Sequence, residues 1–395
     1  MSYSRLKILP KPQGPFPTGC IDFMHGRSKE GTLLRLFYPT QKDQITEEHL
    51  TPWFPGYEYT KGLSRFLSSS LPRLCESMLN WSTKDAQIPS HYGAPLAQGK
   101  FPLIVFSHGL IGHRIMYSTI CNDLASHGFV VAALEHRYDT QLKDESACAT
   151  FTLSDSGEKV YIEYKTPEKN KKEYPLRHEQ VEIRAKECIA ALNVLENLAN
   201  GSIEDNDLPS PLPVKDFEGK IDTSQPILAG HSFGAAATIL ALSKDTRFKV
   251  GLALDPWMFP LKEDLESLSA SIQQPILFIL TEAFQNNVNF KAFLPFNHER
   301  NRFVTLKGSV HQNQSDMPFL FGFVGRMLGG AWSSLDRHLA ISLNNKLMIN
   351  FICSHLGFEV ESYDSFLESH SGDLMEGLLE LAKFRFGWES LEKSF

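Results

Sequence analysis

The sequence of 395 residues predicts an α/β fold with a mainly parallel central sheet. Short, nearly continuous apolar runs recur along the chain, which is typical of parallel strands that are covered on both faces. Helical patterns lie between these runs, and this alternation favours helices on both faces of one sheet. Because α/β enzymes of this length often form one unit, we expect a single domain over residues 1–395.

The apolar runs and the helical patterns place the elements in chain order. Strands are predicted over residues 32–38, 102–106, 128–134, 226–229, 248–254, 275–281 and 302–306. Helices are predicted near 114–127, 178–200, 234–244 and 335–356. Three regions are expected outside this core, namely an N-terminal extension over 1–30, a polar insertion over 138–176 and a C-terminal helical tail over 360–395.

Composition excludes several classes of protein. A net charge of −7 argues against a general nucleic-acid binder, because neutralising phosphates requires a basic surface. The six cysteines form no C-x-x-C pair, so scattered reduced thiols are favoured over a zinc site or a disulfide framework. No phosphate-binding loop, dinucleotide fingerprint or HExxH motif is present, and no metal or other cofactor is predicted. The start lacks an apolar signal segment and no run reaches the length of a membrane span, so we expect a cytoplasmic protein.

The clearest sign of chemistry is the pattern Gly230-His231-Ser232-Phe233-Gly234. It matches G-x-S-x-G, in which the serine lies on a sharp turn between a strand and a helix. The segment before it predicts a strand and the segment after it predicts a helix, so the context agrees. The turn would direct the hydroxyl of Ser232 to the carboxyl end of the sheet, and we interpret this serine as a nucleophile. The alternative is a glycine-rich turn with a passive serine.

A serine nucleophile needs a base to take its proton, and the base needs a third group to orient it. Asp255 ends the apolar run VGLAL, so its carboxylate is predicted at the same sheet edge as Ser232, and Glu282 at the end of the next strand is its rival. His311 lies on a short loop after the strand VTL and is predicted to be the base. The order Ser, Asp, His is that of α/β hydrolases. Four other histidines follow Asp255 and are weaker alternatives: His298, His338, His355 and His370.

The tetrahedral intermediate of acyl transfer needs donors for its negative oxygen. The loop after the strand PLIVF supplies one backbone N–H in such sites, and the residue after the nucleophile supplies the other. The predicted donors are therefore the amides of Leu110 and Phe233, with Gly109 allowing the loop to approach the substrate. His108 is expected to pack within the loop rather than to act as a base.

Several segments together carry a family resemblance. In order, from about residue 18 to 355, they include LLRLFYPT, PWFPGYEYTKGLSRFL, FPLIVFSHGLIGHRIMYSTICNDLASHGFVVAALEHR, RHEQVEIRAKEC, GHSFGAAATILAL, ALDPWMFPL and LKGSVHQNQSDMPF. These segments resemble the platelet-activating factor acetylhydrolases, in particular the intracellular, calcium-independent serine enzymes that are also classed as phospholipases A2.

The resemblance implies an α/β-hydrolase fold that uses no metal. It assigns the nucleophile to Ser232, the acid to Asp255, the base to His311 and the oxyanion donors to Leu110 and Phe233. The implied activity is hydrolysis of a short or oxidised acyl group from the sn-2 position of a phospholipid such as platelet-activating factor. A general carboxylesterase or transacylase with the same triad is the nearest alternative, and a non-catalytic hydrolase-fold binding protein is a more distant one.

A phospholipid substrate lies in a bilayer, so the resemblance also implies peripheral contact with a membrane. Two apolar stripes are predicted to lie shallowly in the interface, with core packing as the alternative. Their candidate residues are Leu74, Met78, Leu79, Phe319 and Phe321. Trp257 is expected beside the acyl site or in the core, whereas Arg177 and Arg184 are expected to be solvated helix charges, with a phosphate contact as the alternative.

Overall fold

The computed structural model describes residues 7–42, 50–67, 71–137, 150–162, 171–327, 333–358 and 362–378. Within these residues the strands β1 to β15 are, in order, Lys7–Ile8, Thr18–His25, Thr32–Pro39, Thr51–Pro52, Ala86–Ile88, His91–Tyr92, Phe101–Ser107, Val130–Glu135, Thr150–Leu153, Lys159–Ile162, Ile221–His231, Val250–Leu254, Ile276–Thr281, Arg302–Leu306 and Leu374–Glu376. The helices α1 to α10 of the same residues are Tyr57–Leu67, Pro72–Thr83, Ser118–Ser126, Glu173–Ala199, Phe233–Lys244, Leu265–Ser271, Asn287–Phe293, Met317–Met327, Arg337–Leu356 and Asp364–Ser369.

Ten of these strands form one sheet in the order β15-β14-β13-β12-β11-β7-β8-β3-β2-β6. The six neighbouring strands from β14 to β8 are all parallel, whereas β15, β3 and β2 pair antiparallel with their neighbours β14, β8 and β3. Every residue of β8, β12 and β13 is buried, as expected for strands that are covered on both faces. The predicted α/β fold with a mainly parallel sheet is confirmed.

The sheet separates two hydrophobic cores, because successive side chains of a strand point to opposite faces. Phe278 of β13 belongs to the core that also contains buried side chains of α4 and α5. Its neighbours Leu277 and Ile279 belong to the other core, with side chains of α3 and α9. Helices therefore cover both faces, and the sheet edges carry the loops in which the site is built.

Every predicted strand and helix of the core is present, and the differences concern the three regions that were expected outside it. Strand β2 falls within the segment that was expected to be an extension, and it pairs with β3 along its whole length. Strands β9 and β10 form a hairpin within the predicted insertion, whose residues 138–149 and 163–170 lie outside the described residues. Helix α10 and strand β15 belong to the predicted tail, of which 379–395 also lie outside. The division into these regions stays a prediction.

The register of the sheet brings the ends of several strands together. His231 at the end of β11 lies opposite Leu254 at the end of β12, so the residues that follow them are neighbours. Strand β14 ends at the same edge, because it is parallel to β13 and β13 is parallel to β12. In open parallel sheets this carboxyl edge is where sites are formed. None of the described helices is both long enough and apolar enough to cross a membrane.

Candidate active site

Ser232 lies on a strained turn between β11 and α5. Its φ of 58° and ψ of −117° lie in a region that residues other than glycine seldom adopt, at a cost of about 1–3 kcal/mol. The backbone N–H of Ser232 donates to the carbonyl of Leu254 at 2.8 Å, which holds the turn against β12. A Cβ atom at Gly230 would overlap the carbonyl oxygen of Gly234, and one at Gly234 would overlap that of Ser107. The two glycines are therefore required by the close packing of this turn.

Asp255, directly after β12, is fully buried and also has a positive φ, of 45°. One carboxylate oxygen, Oδ1, accepts from the backbone N–H of Thr281 at 3.0 Å and from Nε2 of Gln285 at 2.7 Å. The other, Oδ2, accepts from the hydroxyl of Thr281 at 2.5 Å and from Nδ1 of His311 at 2.6 Å. Four donors therefore converge on one carboxylate and fix its orientation.

His311 begins a short 3-10 turn, His311–Gln314, after β14. Its side chain is 20% exposed, and its ring stacks on that of Phe284 with centroids 3.9 Å apart and an interplanar angle of 17°. The ring of His231, the residue before the nucleophile, lies 4.4 Å away. Because Nδ1 donates to Asp255, Nε2 is the atom of His311 that is left for proton exchange.

Ligand atoms of His231, Asp255 and His311 all lie within 4.8 Å of one another, a spacing that a metal ion also uses. However, Nδ1 of His311 is already joined to Asp255, and Nδ1 of His231 is joined to the hydroxyl of Tyr117 at 2.8 Å. The closeness of Asp255 and His311 is therefore explained by the hydrogen bond between them and does not by itself indicate a metal ion.

The rivals of Asp255 and His311 have partners elsewhere. The carboxylate of Glu282 accepts from the backbone N–H of Gly308 at 2.8 Å, which ties together two loops at the sheet edge. The other histidines that follow Asp255 contact residues outside the triad: His298 contacts Ser269, His338 contacts Phe319, His355 contacts Phe351 and His370 contacts Phe366. The structure thus joins Asp255 to His311 beside the turn that carries Ser232, and the catalytic roles of these residues stay a prediction.

The loop after β7 lies beside the nucleophile. A Cβ atom placed on Gly109 would be 3.5 Å from Cβ of Ser232 and 2.8 Å from the hydroxyl of Tyr117. That hydroxyl accepts from the backbone N–H of Gly109 at 3.0 Å and also contacts His231, so one phenol links the loop to the nucleophile turn. Leu110 is the next residue of the loop, and Phe233 is the first residue of α5. Both predicted oxyanion donors therefore lie on segments that flank Ser232.

Three buried imidazoles at this sheet edge have lowered pKa values. Burial lowers the pKa of His108 and His136 well below the usual value, and the charge of Arg184 lowers both further. Burial likewise lowers the pKa of His231, with His311 adding to the shift. His108 contacts the carbonyl of Gly109 through Nδ1 at 2.7 Å, in agreement with its predicted packing role.

The candidate membrane residues divide into two groups. Leu74 is 56% exposed and Met78 is partly exposed. The prediction of surface contact is wrong for three residues that lie in the core, namely Leu79, Phe319 and Phe321. The spacing of apolar residues on a helix does not distinguish a face packed on another helix from a free one, and α2 packs on both α1 and α8. Sequence reasoning missed Trp81, which is 73% exposed on α2.

Trp257 lies next to the nucleophile turn and is half-buried. Its backbone N–H donates to the carbonyl of Ser232 at 3.1 Å, and its ring stacks on that of Phe259 at 5.6 Å. Arg177 and Arg184 are both buried, so their prediction as solvated helix charges is wrong. Other residues that the sequence did not reveal are Tyr117, Thr281, Gln285 and Phe284, since their roles depend on contacts between distant segments.

Comparisons with known proteins identify the relatives of this chain and support its fold. Platelet-activating factor acetylhydrolase from Bos taurus is 38% identical over 381 residues, which cover 93% of this chain and 82% of the relative. A putative phospholipase A2 from Schizosaccharomyces pombe is 27% identical over 422 residues, covering 89% and 93% of the two chains. A ferulic acid esterase from Streptomyces cinnamoneus has a similar solved structure, with a TM-score of 0.64 at 18% identity. The match covers 94% of this chain and 99% of that one, and it confirms the α/β-hydrolase fold.

The family model matches nearly the whole chain. Its description is "Platelet-activating factor acetylhydrolase, isoform II", and it covers residues 1–374. The resemblance predicted from the sequence segments is therefore confirmed. The chain belongs to the isoform II family of platelet-activating factor acetylhydrolases.

Proposed function

We propose that this protein is a serine hydrolase that removes short or oxidised sn-2 acyl groups from phospholipids such as platelet-activating factor. The observation that carries the proposal is the 2.6 Å hydrogen bond between His311 and the buried Asp255, beside a strained serine turn. A base oriented by a carboxylate is what a serine needs to attack an ester. Family membership supports the choice of a phospholipid ester as the substrate.

The proposed steps assign one role to each of these groups. Nε2 of His311 takes the proton of Ser232 while the serine oxygen attacks the sn-2 carbonyl, and Asp255 stabilises the charged imidazole. The amides of Leu110 and Phe233 bind the negative oxygen of the tetrahedral intermediate. His311 then gives the proton to the departing glycerol oxygen, which leaves an acyl group on Ser232. Water activated by His311 hydrolyses this acyl enzyme and regenerates the serine.

Membrane contact is assigned to the exposed side of α2. Leu71 is 62% exposed and Leu74 is 56% exposed, and both share with Trp81 the spacing of one helix face. The α2 apolar face consists of Leu71, Leu74 and Trp81. Helix α2 packs against α8, which begins six residues after His311. Partial burial of such side chains stabilises membrane binding by about 1 kcal/mol each, which suits reversible contact.

The double variant Leu74→Ser with Trp81→Ser tests this contact. It should weaken binding to phosphatidylcholine vesicles about tenfold or more, because it removes two apolar anchors. Hydrolysis of a soluble short-chain ester should be unchanged. Val160→Ser is the matched control, since Val160 is 50% exposed but lies on the β10 strand. Equal vesicle binding by the double variant and the control would refute the assignment.

The substrate class is tested by acyl release from a matched pair of lipids. Two choline glycerophospholipids that differ only in an sn-2 acetyl or sn-2 oleoyl group are compared, and the acetyl group should be released at least tenfold faster. No release of acetate, or faster release of oleate, would overturn the proposal. A lysophospholipid added to the same assay reveals transacylation if acetate appears on it rather than in water. The cytoplasmic location stays a prediction, which fractionation of cells that express the chain would test.

A further inference from the structure

Arg184 lies in the middle of α4 and is fully buried. Its guanidinium donates to carbonyl oxygens of three successive loop residues: to His108 through Nη1, and to Gly109 at 3.2 Å and Leu110 at 3.4 Å through Nη2. The same guanidinium lies over the ring of Phe233, with Cζ 4.7 Å from the ring centroid. One cation therefore contacts both segments that carry the proposed oxyanion donors.

We propose that Arg184 is a positioning residue for the oxyanion hole. Its guanidinium directs and polarises the N–H of Leu110. The carbonyl of Gly109 and the N–H of Leu110 belong to one planar trans peptide, so the two groups point in opposite directions. Holding the carbonyl toward α4 therefore aims the N–H away from α4. The inference rests on the proposed function, because it concerns the negative oxygen formed when Ser232 attacks.

The carbonyl of Gly109 is unusually well held. Besides Arg184, it accepts from the backbone N–H of Gly112 at 3.1 Å, and Nδ1 of His108 lies 2.7 Å away. Nε2 of His108 accepts from the backbone N–H of His136, so Nδ1 carries the proton of this neutral ring and donates it to Gly109. Three donors at one carbonyl leave this peptide little freedom to rotate.

A charged donor adds polarisation to orientation. A hydrogen bond from a guanidinium withdraws electrons from the carbonyl and makes the N–H of the same peptide a stronger donor. Burial lowers the pKa of Arg184, and the carboxylate of Glu187 partly offsets this shift. Keeping a cation at this place therefore costs the folded protein free energy. A neutral side chain would hold the loop without this cost, but it would polarise the peptide less.

The test compares Arg184→Lys with Arg247→Lys as the matched control. Arg247 also contacts α4, but its guanidinium donates to Glu196 near the end of that helix and to Asp245. For a soluble acetyl ester, Arg184→Lys should lower kcat about 10- to 100-fold, with KM within about threefold, because complete loss of an oxyanion donor costs about 100- to 1,000-fold. Arg247→Lys should change kcat less than about threefold.

A second readout reports the oxyanion itself. An alkyl trifluoromethyl ketone labelled at its carbonyl carbon adds to the serine oxygen, the hydroxyl proton passes to His311, and the hemiketal oxygen becomes negative. Carbon NMR of this adduct gives the pKa of the hemiketal oxygen, which Arg184→Lys should raise by about one to two units, matching the 10- to 100-fold loss. A purely structural role would lower the melting temperature without moving this pKa.

Chemical rescue keeps the inference testable where the side chain is needed for stability. In Arg184→Ala, added methylguanidinium should restore kcat, whereas methylammonium, a point charge without the planar fork, should not. Recovery of thermal stability without recovery of kcat would overturn the inference, as would an unchanged hemiketal pKa in Arg184→Lys. Failure of the wild-type protein to form the adduct at Ser232 would instead overturn the proposed function and this inference together.

Discussion

Replacement of Asp255 by Asn probes the orientation of the base. Oδ1 faces the backbone N–H of Thr281, which only donates, so the amide oxygen of Asn must take that place. The amide NH2 then takes the place of Oδ2 and faces Nδ1 of His311. Nδ1 must become an acceptor, which moves the ring proton to Nε2. The base of the Asp255→Asn variant is therefore in the wrong tautomer to accept the proton of Ser232.

The size of the effect follows from the geometry. The carboxylate and the imidazolium interact by about 4 kcal/mol, if their charge centres lie about 4 Å apart at an effective dielectric constant of about 20. Losing this interaction lowers the rate about 1,000-fold, since each 1.36 kcal/mol or so is a factor of ten. The wrong tautomer adds to this loss, and we expect kcat of Asp255→Asn to fall about 10,000-fold, as in other triads.

The assay is steady-state hydrolysis of p-nitrophenyl acetate, with the melting temperature as a check on folding. Glu282→Gln is the control, since Glu282 ends the neighbouring strand but accepts from Gly308 rather than from His311. It should keep kcat within about threefold, because the triad contacts are untouched. Folded Asp255→Asn with kcat within tenfold of the wild type would refute the reasoning. A loss of kcat greater than about threefold in Glu282→Gln would also refute it.

Three further predictions concern the frame of the site. Gly234→Ala should abolish activity and lower the free energy of unfolding, because its Cβ would overlap the carbonyl of Ser107. The control is Gly372→Ala, since a Cβ at that position meets nothing within 4 Å. Equal stability of the two variants would contradict the packing argument. Asp316→Ala should cost about 3–5 kcal/mol in urea unfolding, because an indole and two backbone amides lose their buried acceptor, and a loss under 1 kcal/mol or so would count against it. Burial lowers the pKa of His113 to about 4, so the folded state stays neutral while the unfolded state binds a proton below about pH 6.5. The stability from this group is therefore lost as pH falls from about 6.5 to 4, by up to about 1.4 kcal/mol per pH unit. In His113→Gln, the free energy of unfolding measured with urea should fall less steeply over this pH range. An unchanged pH dependence would contradict the assignment of the effect to His113.

Local patterns were sufficient for the parallel sheet and for placing the three predicted triad residues at one sheet edge. Apolar runs identified the six parallel strands β7, β8, β11, β12, β13 and β14, because strands covered on both faces need no polar residues. Each predicted triad residue follows such a run, and the carboxyl ends of parallel strands share one edge. The sequence could therefore predict that these three residues lie near one another.

Strand β2 escaped prediction because it carries a charge. Asp22 interrupts its apolar pattern, and the structure pairs this carboxylate with Arg35 at 2.8 Å and with Arg114 at 3.0 Å. The arginines that satisfy Asp22 come from β3 and from the loop after β7, so no local window of the sequence reveals that the charge is neutralised. A buried ion pair between distant segments can be recognised only after the chain is folded.

Burial on helices was misjudged for the same reason. Arg184 resembles a solvated helix charge in the sequence, because its carbonyl partners lie more than seventy residues away. Leu79 and Trp81 are two residues apart on α2, yet Leu79 is fully buried and Trp81 is 73% exposed. Which side of α2 is covered depends on the positions of α1 and α8, and helical spacing does not contain that information.

Labelling with a fluorophosphonate tests the central claim most directly, since this reagent reacts with a serine whose proton is taken by a neighbouring base. Mass spectrometry of the intact wild-type protein should show one bound phosphonyl group, and peptide mapping should place it on Ser232. Ser232→Ala should not react, and His311→Ala should react far more slowly. Folded wild-type protein that does not react, or that carries the group on another residue, would contradict the account.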